Sequence, residues 1–310
     1  MDCKDKHRRY FRIAGITVCV KSDLDFSEVE FKKEFAPFAV AGPGEDNVTL
    51  RHCFGLPDLN GKDLGKELYR KVPWAISRKG DIWYYLGIKS DARDAELQWV
   101  GIFSADHTQA TIYSPKHLEE IVRKTRYAWH SLSLLPTDQV WLAPLLADRN
   151  AVLLHSAAVI LNGRGLLFVG HSSAGKSTTV GMLKGKAEIL CDDRNVARLW
   201  KDGWRVHGTW SHGDVAEVSP AAAPLCAILF LQQDMRNAIE QLTDRRELWT
   251  RLLATLIRPM VTAEWWHKEI DILEQIVNDV PCYRMHFDKT GMILPELEKL
   301  ANDRLQRSHG

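Results

Sequence analysis

Apolar and polar positions follow two different rhythms along this chain. From Tyr10 to about Tyr113, short apolar runs alternate with turn signals: Phe11 to Val20, Val48 to His52, Trp74 to Ser77, Ile82 to Ile88, Trp99 to Phe103 and Ala110 to Tyr113. Runs rich in β-branched and aromatic residues, bounded by Gly, Pro, Asn and Asp, are strand signals. Ala41-Gly42-Pro43-Gly44, Asn60-Gly61 and Lys79-Gly80-Asp81 supply turns between them. The pattern predicts a small, mostly antiparallel sheet domain. The period then becomes helical between Pro115 and Leu134, with Leu118, Ile121, Val122 and the aromatic pair Tyr127 and Trp129. A second helix is predicted from Thr137 to about Leu146, capped by Thr137 and burying Trp141, Leu142 and Leu145. The boundary falls near Asp148-Arg149-Asn150, which gives an N-terminal α+β domain over 1–148 and a second domain over 149–310.

The second domain mixes strands with helices, an α/β pattern. Leu153 to Val159 and Leu166 to Val169 read as a hairpin around Asn162-Gly163-Arg164-Gly165. Lys176 to Leu183 forms a short helix closed by Gly185, and Ala187 to Cys191 the next strand. Asp244 followed by Glu247 marks a helix start, with Leu248, Leu252, Leu253 and Leu256 in one stripe until Pro259. Thr262 to about Asn278 carries Trp266, Ile270, Leu273 and Val277 at helical spacing. Cys282 to Phe287 reads as a strand, and Leu294 to Leu305 as a terminal helix.

The chemistry concentrates in Gly170 to Thr178, G-H-S-S-A-G-K-S-T, a complete G-x-x-x-x-G-K-[S/T] phosphate-binding loop fed by an apolar strand and opening a helix. Gly170 and Gly175 let the backbone turn its N–H groups toward phosphate oxygens, and the helix start adds partial positive charge. The expected nucleotide contacts are Gly170, Ser172, Ser173, Ala174, Gly175, Lys176, Ser177 and Thr178. Lys176 meets the β- and γ-phosphates, and Ser177 offers a hydroxyl to Mg²⁺. Asp192-Asp193 ends the next strand, at the carboxyl edge where ligands bind in α/β sheets. Neighbours on a strand point to opposite faces, so one acid can hold Mg²⁺ and the other accept a proton. The plain alternative is a turn that caps the strand. His155, in the apolar run Leu153 to Val159, lies at one rim of the sheet, where a structural role competes with a functional one.

L-H-S-A-A-V, a turn, L-L-F-V-G-H-S-S-A-G-K-S-T-T and I-L-C-D-D together resemble the HPr kinase/phosphorylase superfamily, in particular the HPr-kinase-like proteins that accompany peptide-modifying enzymes, such as the lasso-peptide kinases. The resemblance covers roughly Val152 to Val280 and is strongest from His155 to Asp193. Trp204 to Trp210 is similar to the G-T-P-W segment of these relatives without its proline, and Pro224 to Leu231 to the strand that follows. The resemblance implies a P-loop kinase core of the HPr kinase/phosphoenolpyruvate carboxykinase type, beside a smaller mostly-β N-terminal domain. By motif it makes Asp192 the base with His155 assisting, and makes Ser177 and Asp193 the metal ligands. Asp214 and Glu217 are the candidates for the later acid that it also implies as a metal ligand. It also allows a homo-oligomer.

With 41 basic against 40 acidic residues, the net charge of +1 argues against a sequence-independent hold on nucleic acid or anionic lipid. Lys4 to Arg9, the densest basic stretch, reads as a solvated terminus. The longest apolar run, Ala221 to Leu231, is broken by Pro224 and falls short of the ~20 residues of a membrane helix. With no apolar leader segment either, the expected location is cytoplasmic. Six cysteines show no C-x-x-C pair and no metal-ligand spacing, so reduced thiols are expected. Cys191, beside the acidic pair, is a position where alkylation would block activity by bulk. Among 11 tryptophans, Trp265-Trp266 can stack on an adenine or a peptide, with core packing the simpler account.

These features predict an ATP- and Mg²⁺-dependent transfer of phosphate to a hydroxyl, with Ser or Thr of a peptide or small protein as acceptor. Three other readings stay open: a small-molecule acceptor such as free serine, an ATPase that drives a conformational change, and a nucleotide-binding scaffold without turnover.

Overall fold

The structure is a computed structural model that describes residues 7–26, 29–125, 128–258 and 262–307. It contains two compact units, one running to Leu145 and taking in Trp265, the other spanning Leu146–Arg258 and resuming at Trp266.

The first unit is built on β1 (Arg8–Ile13), β2 (Ile16–Ser22), β3 (Ala39–Val40), β4 (Asp46–Phe54), β5 (Lys66–Lys71), β6 (Trp74–Lys79), β7 (Ile82–Ile88), β8 (Leu97–Ser104) and β9 (Gln109–Ser114). They form one sheet in the order β3-β1-β2-β4-β9-β8-β7-β6-β5, with parallel pairings only at β2–β4 and β4–β9. The run Phe11 to Val20 is two strands, because Ala14 and Gly15 both take positive φ and reverse the chain. β5 escapes the apolar pattern because its Lys66-Glu67-Leu68-Tyr69-Arg70-Lys71 is a charged edge strand with no buried residue. Helix α1 (Lys116–Thr125) stops well short of Leu134. Tyr127 lies outside the described residues, and fully buried Trp129 is pinned by its backbone to Glu30 and Lys32 instead of by helical bonds. Helix α2 (Gln139–Ala147) begins with the Thr137 hydroxyl accepting the Gln139 N–H at 3.3 Å, and Trp141, Leu142 and Leu145 are buried as the pattern requires.

The second unit is a mixed α/β structure. Its strands are β10 (Ala151–Leu161), β11 (Arg164–Val169), β12 (Glu188–Cys191), β13 (Arg194–Trp200), β14 (Gly203–His207), β15 (Ala222–Gln233), β16 (Ala238–Gln241) and β17 (Cys282–Phe287). Its helices are α3 (Lys176–Leu183), α4 (Arg245–Thr255), α5 (Ala263–Asp279, which begins in the first unit) and α6 (Leu294–Arg307). β10 is shared between two sets of partners. Residues 151–155 pair with β13, whereas 156–161 pair with β11 and β12. The turn after β10 contains only Asn162 and Gly163, because Arg164 already pairs with Leu161. β15 is shared likewise: its start pairs with β14, and its remainder lies parallel between β11 and β17.

β12 is antiparallel to β10, and β10 is antiparallel to β11. β12 and β11 therefore run in the same direction, and the Gly170–Thr178 segment and the acidic pair emerge on the same side. Beneath them, Phe168, Leu166, Leu229, Met285 and Phe287 pack against Val180 and Leu183 of α3 and Leu297 and Ala301 of α6. Truncating one such large core side chain to Ala costs roughly 3–5 kcal/mol, so this layer is what fixes the strand ends.

Along α5 the buried stripe is Trp265, Glu269, Ile272, Leu273 and Ile276; of the expected Trp266-Ile270-Leu273-Val277 face only Leu273 is fully buried, the other three lying one position off the stripe. Buried Glu269 hides that stripe from an apolar count, while Ile270 is 42 % exposed. α4 starts as predicted, with the Asp244 carboxylate accepting the N–H groups of Arg246 and Glu247. Pro259, its expected stop, lies outside the described residues. No helix among the described residues is long and apolar enough to cross a membrane.

Candidate functional site

β11 delivers the chain into Gly170, and α3 takes it up at Lys176. Between them Ser173 and Gly175 hold φ of 66° and 102°. Gly175 is required twice over: its φ is left-handed, and a Cβ there would sit 2.6 Å from the Phe287 ring. The loop thus rests directly on the last residue of β17. Its tip is also tethered, because Gln233 Nε2 at the end of β15 donates to the Ser173 carbonyl at 2.9 Å. Thr179 Oγ1 caps back onto the Gly175 carbonyl at 2.9 Å.

Lys176 is buried, and its Nζ donates to the carbonyls of Gly170 (3.0 Å) and His171 (3.2 Å). Burial lowers its pKa, opposed by the negative charges of Asp193 and Asp192. Beside it, the Ser177 hydroxyl donates to Asp192 Oδ2 at 2.9 Å. Asp192 is almost wholly enclosed, and its carboxylate also accepts the Gly213 N–H at 2.6 Å and the Val215 N–H at 2.9 Å. One carboxylate therefore ties the start of α3 to the loop after β14.

Asp193 turns the other way. Its carbonyl accepts the Ser156 N–H at 3.0 Å, which carries its side chain onto the β10 side next to His155, with 3.5 Å between Nε2 and Oδ1. Arg194 grips the second oxygen at 2.8 Å, and the Ser211 hydroxyl donates to it at 3.3 Å. The two acids do face different ways, as strand alternation requires. The pairing, however, reverses the expected one, which set Asp192 with His155 and Asp193 with Ser177: the Ser156–Asp193 backbone bond decides it. His155 has its pKa lowered, first by burial and then by the positive charge of Lys176, with Asp193 pulling the other way. Its ring is neutral at pH 7.

Behind the acids, Cys191 is fully buried, bonds to the Ser211 carbonyl and has its thiol pKa pushed up to about 11 by burial. That removes it as an accessible alkylation site. The Gly208-Thr209-Trp210 segment closes the same wall. A Cβ on Gly208 would meet the Ser219 carbonyl at 2.2 Å, and Thr209 Oγ1 donates to the Arg194 carbonyl at 2.6 Å.

These groups line a cleft of about 590 Å³ that brings together His155, Ser172, Ser173, Gly175, Lys176, Ser177, Thr178, Asp192 and Asp193. Gly170 and Ala174 do not line it. Ala174 borders a neighbouring cleft of about 450 Å³ with His171, Gln233 and Arg251. Asp214 lines the main cleft, whereas Glu217 is spent on an exposed ion pair with Lys184. Gln233 and Lys289 also line it and carry no motif. A polar pair following an apolar strand end was the one available signal. Trp265 is buried and belongs to the first unit, which leaves core packing as its role.

The donor chemistry suits Mg²⁺. Ser177 Oγ and Asp192 Oδ2 are hard oxygens at one point beside the Gly170–Thr178 loop, and Mg²⁺ keeps most of its waters while taking one or two carboxylate or hydroxyl ligands. No group of three or more His, Cys, Asp or Glu side chains among the described residues forms an all-protein cage.

The family model for ScmC, SynChlorMet cassette protein ScmC, matches residues 139–302. The chain belongs to the ScmC family. In this ScmC-family chain the matched stretch runs from the start of α2 into α6 and contains every residue that lines the main cleft. No curated protein matches it. Among solved structures, the Hpr(Ser) kinase/phosphatase from Coxiella burnetii aligns at 10% identity over 51% of this chain and 99% of that one, with a TM-score of 0.29. That superposition is too loose for residue roles to be carried across.

Proposed function

We propose that this chain is an ATP-dependent kinase that transfers the γ-phosphate to a hydroxyl, with Ser or Thr of a peptide or small protein as acceptor. The observation that carries the reading is the convergence in one cleft of the Lys176 ammonium, the Ser177–Asp192 pair and the His155–Asp193 pair. The first three groups suit a nucleotide's phosphates; the last two suit an incoming alcohol.

In this reading the triphosphate lies along Gly170–Thr178, with Lys176 moving its ammonium from the loop carbonyls to the β- and γ-phosphate oxygens. Ser177 and Asp192 would hold Mg²⁺, whose chemistry is to neutralise charge on the β- and γ-oxygens. The acceptor oxygen bonds to the γ-phosphorus as the bond to the β–γ bridging oxygen breaks, and ADP leaves with that electron pair. The hydroxyl proton passes to Asp193 Oδ1. Arg194 fixes the other Asp193 oxygen, and the neutral His155 ring orients the carboxylate or relays its proton. Most of the acceleration then comes from positioning and preorganised charge.

The test is transfer of γ-labelled phosphate from ATP to a panel of Ser- and Thr-containing peptides, free serine and cell extract, with mass spectrometry of what becomes labelled. A labelled peptide or protein hydroxyl is expected. Label confined to free serine would move the acceptor to small molecules. Acceptor-independent phosphate release, or tight ATP binding with no turnover on anything, would overturn the kinase reading in favour of an ATPase or a binding module.

A further inference from the structure

The main cleft is lined by two lysines, Lys176 and Lys289, and three acids, Asp192, Asp193 and Asp214. Asp193 already has Arg194 at 2.8 Å, and Asp192 is satisfied by Ser177 and two backbone N–H groups. Lys176 is tied to two carbonyls of its own loop. Lys289 lines the same cleft, is exposed, and has no ion-pair partner among the described residues. Its neighbour Asp288 forms no ion pair with it; that carboxylate accepts the Thr290 N–H at 2.9 Å and the Thr290 hydroxyl at 2.5 Å.

The chain also fixes where Lys289 stands relative to the phosphate-binding loop. β11, β15 and β17 are consecutive parallel strands: the first feeds the loop, the last feeds Lys289 two residues after Phe287, and Gln233 of the middle strand is bonded to Ser173. Phe287 is the ring that would meet a Cβ on Gly175 at 2.6 Å. Asp288 N–H donates to Asn237 Oδ1 at 3.3 Å, and Asp234 N–H to the Phe287 carbonyl at 3.0 Å, so the bend bearing Lys289 is held at both the strand and the neighbouring turn. Phosphoryl transfer gives a cation at this point a use: as the bond to the bridging oxygen lengthens, negative charge builds on the γ-phosphoryl and leaving oxygens, and a second cation is a recurrent way to stabilise it.

We infer that Lys289 contacts the γ-phosphate of bound ATP and is a second catalytic cation, a role that rests on the kinase reading above. Lys176 serves the phosphates from below the loop, and Lys289 serves the terminal one from across the cleft. ADP lacks the group that Lys289 recognises, so Lys289 also confers preference for ATP over ADP.

The experiment compares wild type, Lys289→Met and Lys289→Arg for kcat on the labelled acceptor and for ATP and ADP affinity by calorimetry with Mg²⁺. Thermal melting checks the fold, which an exposed side chain should not disturb. Lys289→Met is expected to lose on the order of 10²–10³ in kcat with little change in acceptor KM, the size seen for removal of one preorganised charge contact. Its ATP-over-ADP preference should drop about tenfold, the 1.4 kcal/mol scale of one such contact, and Lys289→Arg should recover part of both. Unchanged kcat and an unchanged ATP-to-ADP affinity ratio in Lys289→Met would overturn the assignment. Should wild type transfer no phosphate to any acceptor, the kinase reading fails on its own. The affinity ratio still decides Lys289, a fall supporting γ-phosphate contact and an unchanged ratio sinking it.

Discussion

Ser177 Oγ donates to Asp192 Oδ2 across 2.9 Å, and the same carboxylate holds the backbone N–H groups of Gly213 and Val215. The first residue of a strand-end pair is therefore bound to the start of α3 and to the loop after β14. The second, Asp193, goes to His155 and Arg194. Two adjacent acids with different partners should fail differently. We expect Asp192→Asn to weaken Mg²⁺-dependent ATP binding by about 10–100-fold and to raise hydrogen exchange across 211–217, since an amide presents only one acceptor oxygen to the three donors of Ser177, Gly213 and Val215. Asp193→Asn should leave ATP affinity nearly unchanged and lower kcat by about 10²–10⁴, the range for loss of a general base. Calorimetry and single-turnover kinetics on both variants separate the roles. An Asp192→Asn protein that binds Mg²⁺–ATP normally while losing chemistry would restore Asp192 as the base.

Lys176 makes its present contacts with carbonyls, not carboxylates, so freeing it for a phosphate breaks two ammonium–carbonyl hydrogen bonds and no ion pair. Lys176→Ala should cost about 3–4 kcal/mol in transition-state stabilisation and bring turnover close to background. Phosphotransfer at the wild-type rate in that variant would mean that the loop does not hold the reacting phosphates.

Much of this site could be read in the sequence because its parts are local. Strand, glycine loop and helix start are consecutive from Leu166 to Leu183. What could not be read depends on contacts between distant segments. The Ser156–Asp193 backbone bond, which hands Asp193 to His155, is set by pairing across β10 and not by any property of Asp192-Asp193. Gln233 and Lys289 reach the cleft only because β15 and β17 end beside β11. β13 and β14 lack the apolar pattern of the other strands because Arg194, Arg198 and Arg205 place charge within them, and α5 hides its buried stripe behind Glu269.

Cys191 offers a check on the wall behind the acids. Its thiol is fully buried and its pKa is about 11, so almost none is thiolate at pH 7.5 and no reagent reaches it without opening the Trp210–Ser219 segment. Native protein treated with iodoacetamide should therefore leave Cys191 unlabelled by mass spectrometry while the protein stays active, with labelling appearing in denaturant. Rapid modification of Cys191 in native protein would mean that the wall is open.

Stability should fall in mild acid, and the buried histidines give the window. His207 is 5% exposed, accepts the Trp200 indole N–H at 3.2 Å, and has its pKa lowered to about 4 by burial, with Arg198 and Arg205 adding to the effect. His52, in the first unit, is fully buried against Trp129 and lowered to about 3, again by burial. Both rings must be neutral in the folded protein, whereas in the unfolded chain they take up protons near pH 6.5. The unfolded state thus binds more protons below that pH, so stability is fully present above about pH 6.5 and is lost as the pH falls toward 4. A shift of this size at His207 corresponds to roughly 3 kcal/mol by pH 4. Urea melts of the second unit at pH 7.5, 5.5 and 4.5 should show that decline, and His207→Gln, which cannot be protonated, should flatten it while lowering stability at pH 7.5 through imperfect packing against Trp200. An unchanged slope in His207→Gln would assign the acid sensitivity to other groups.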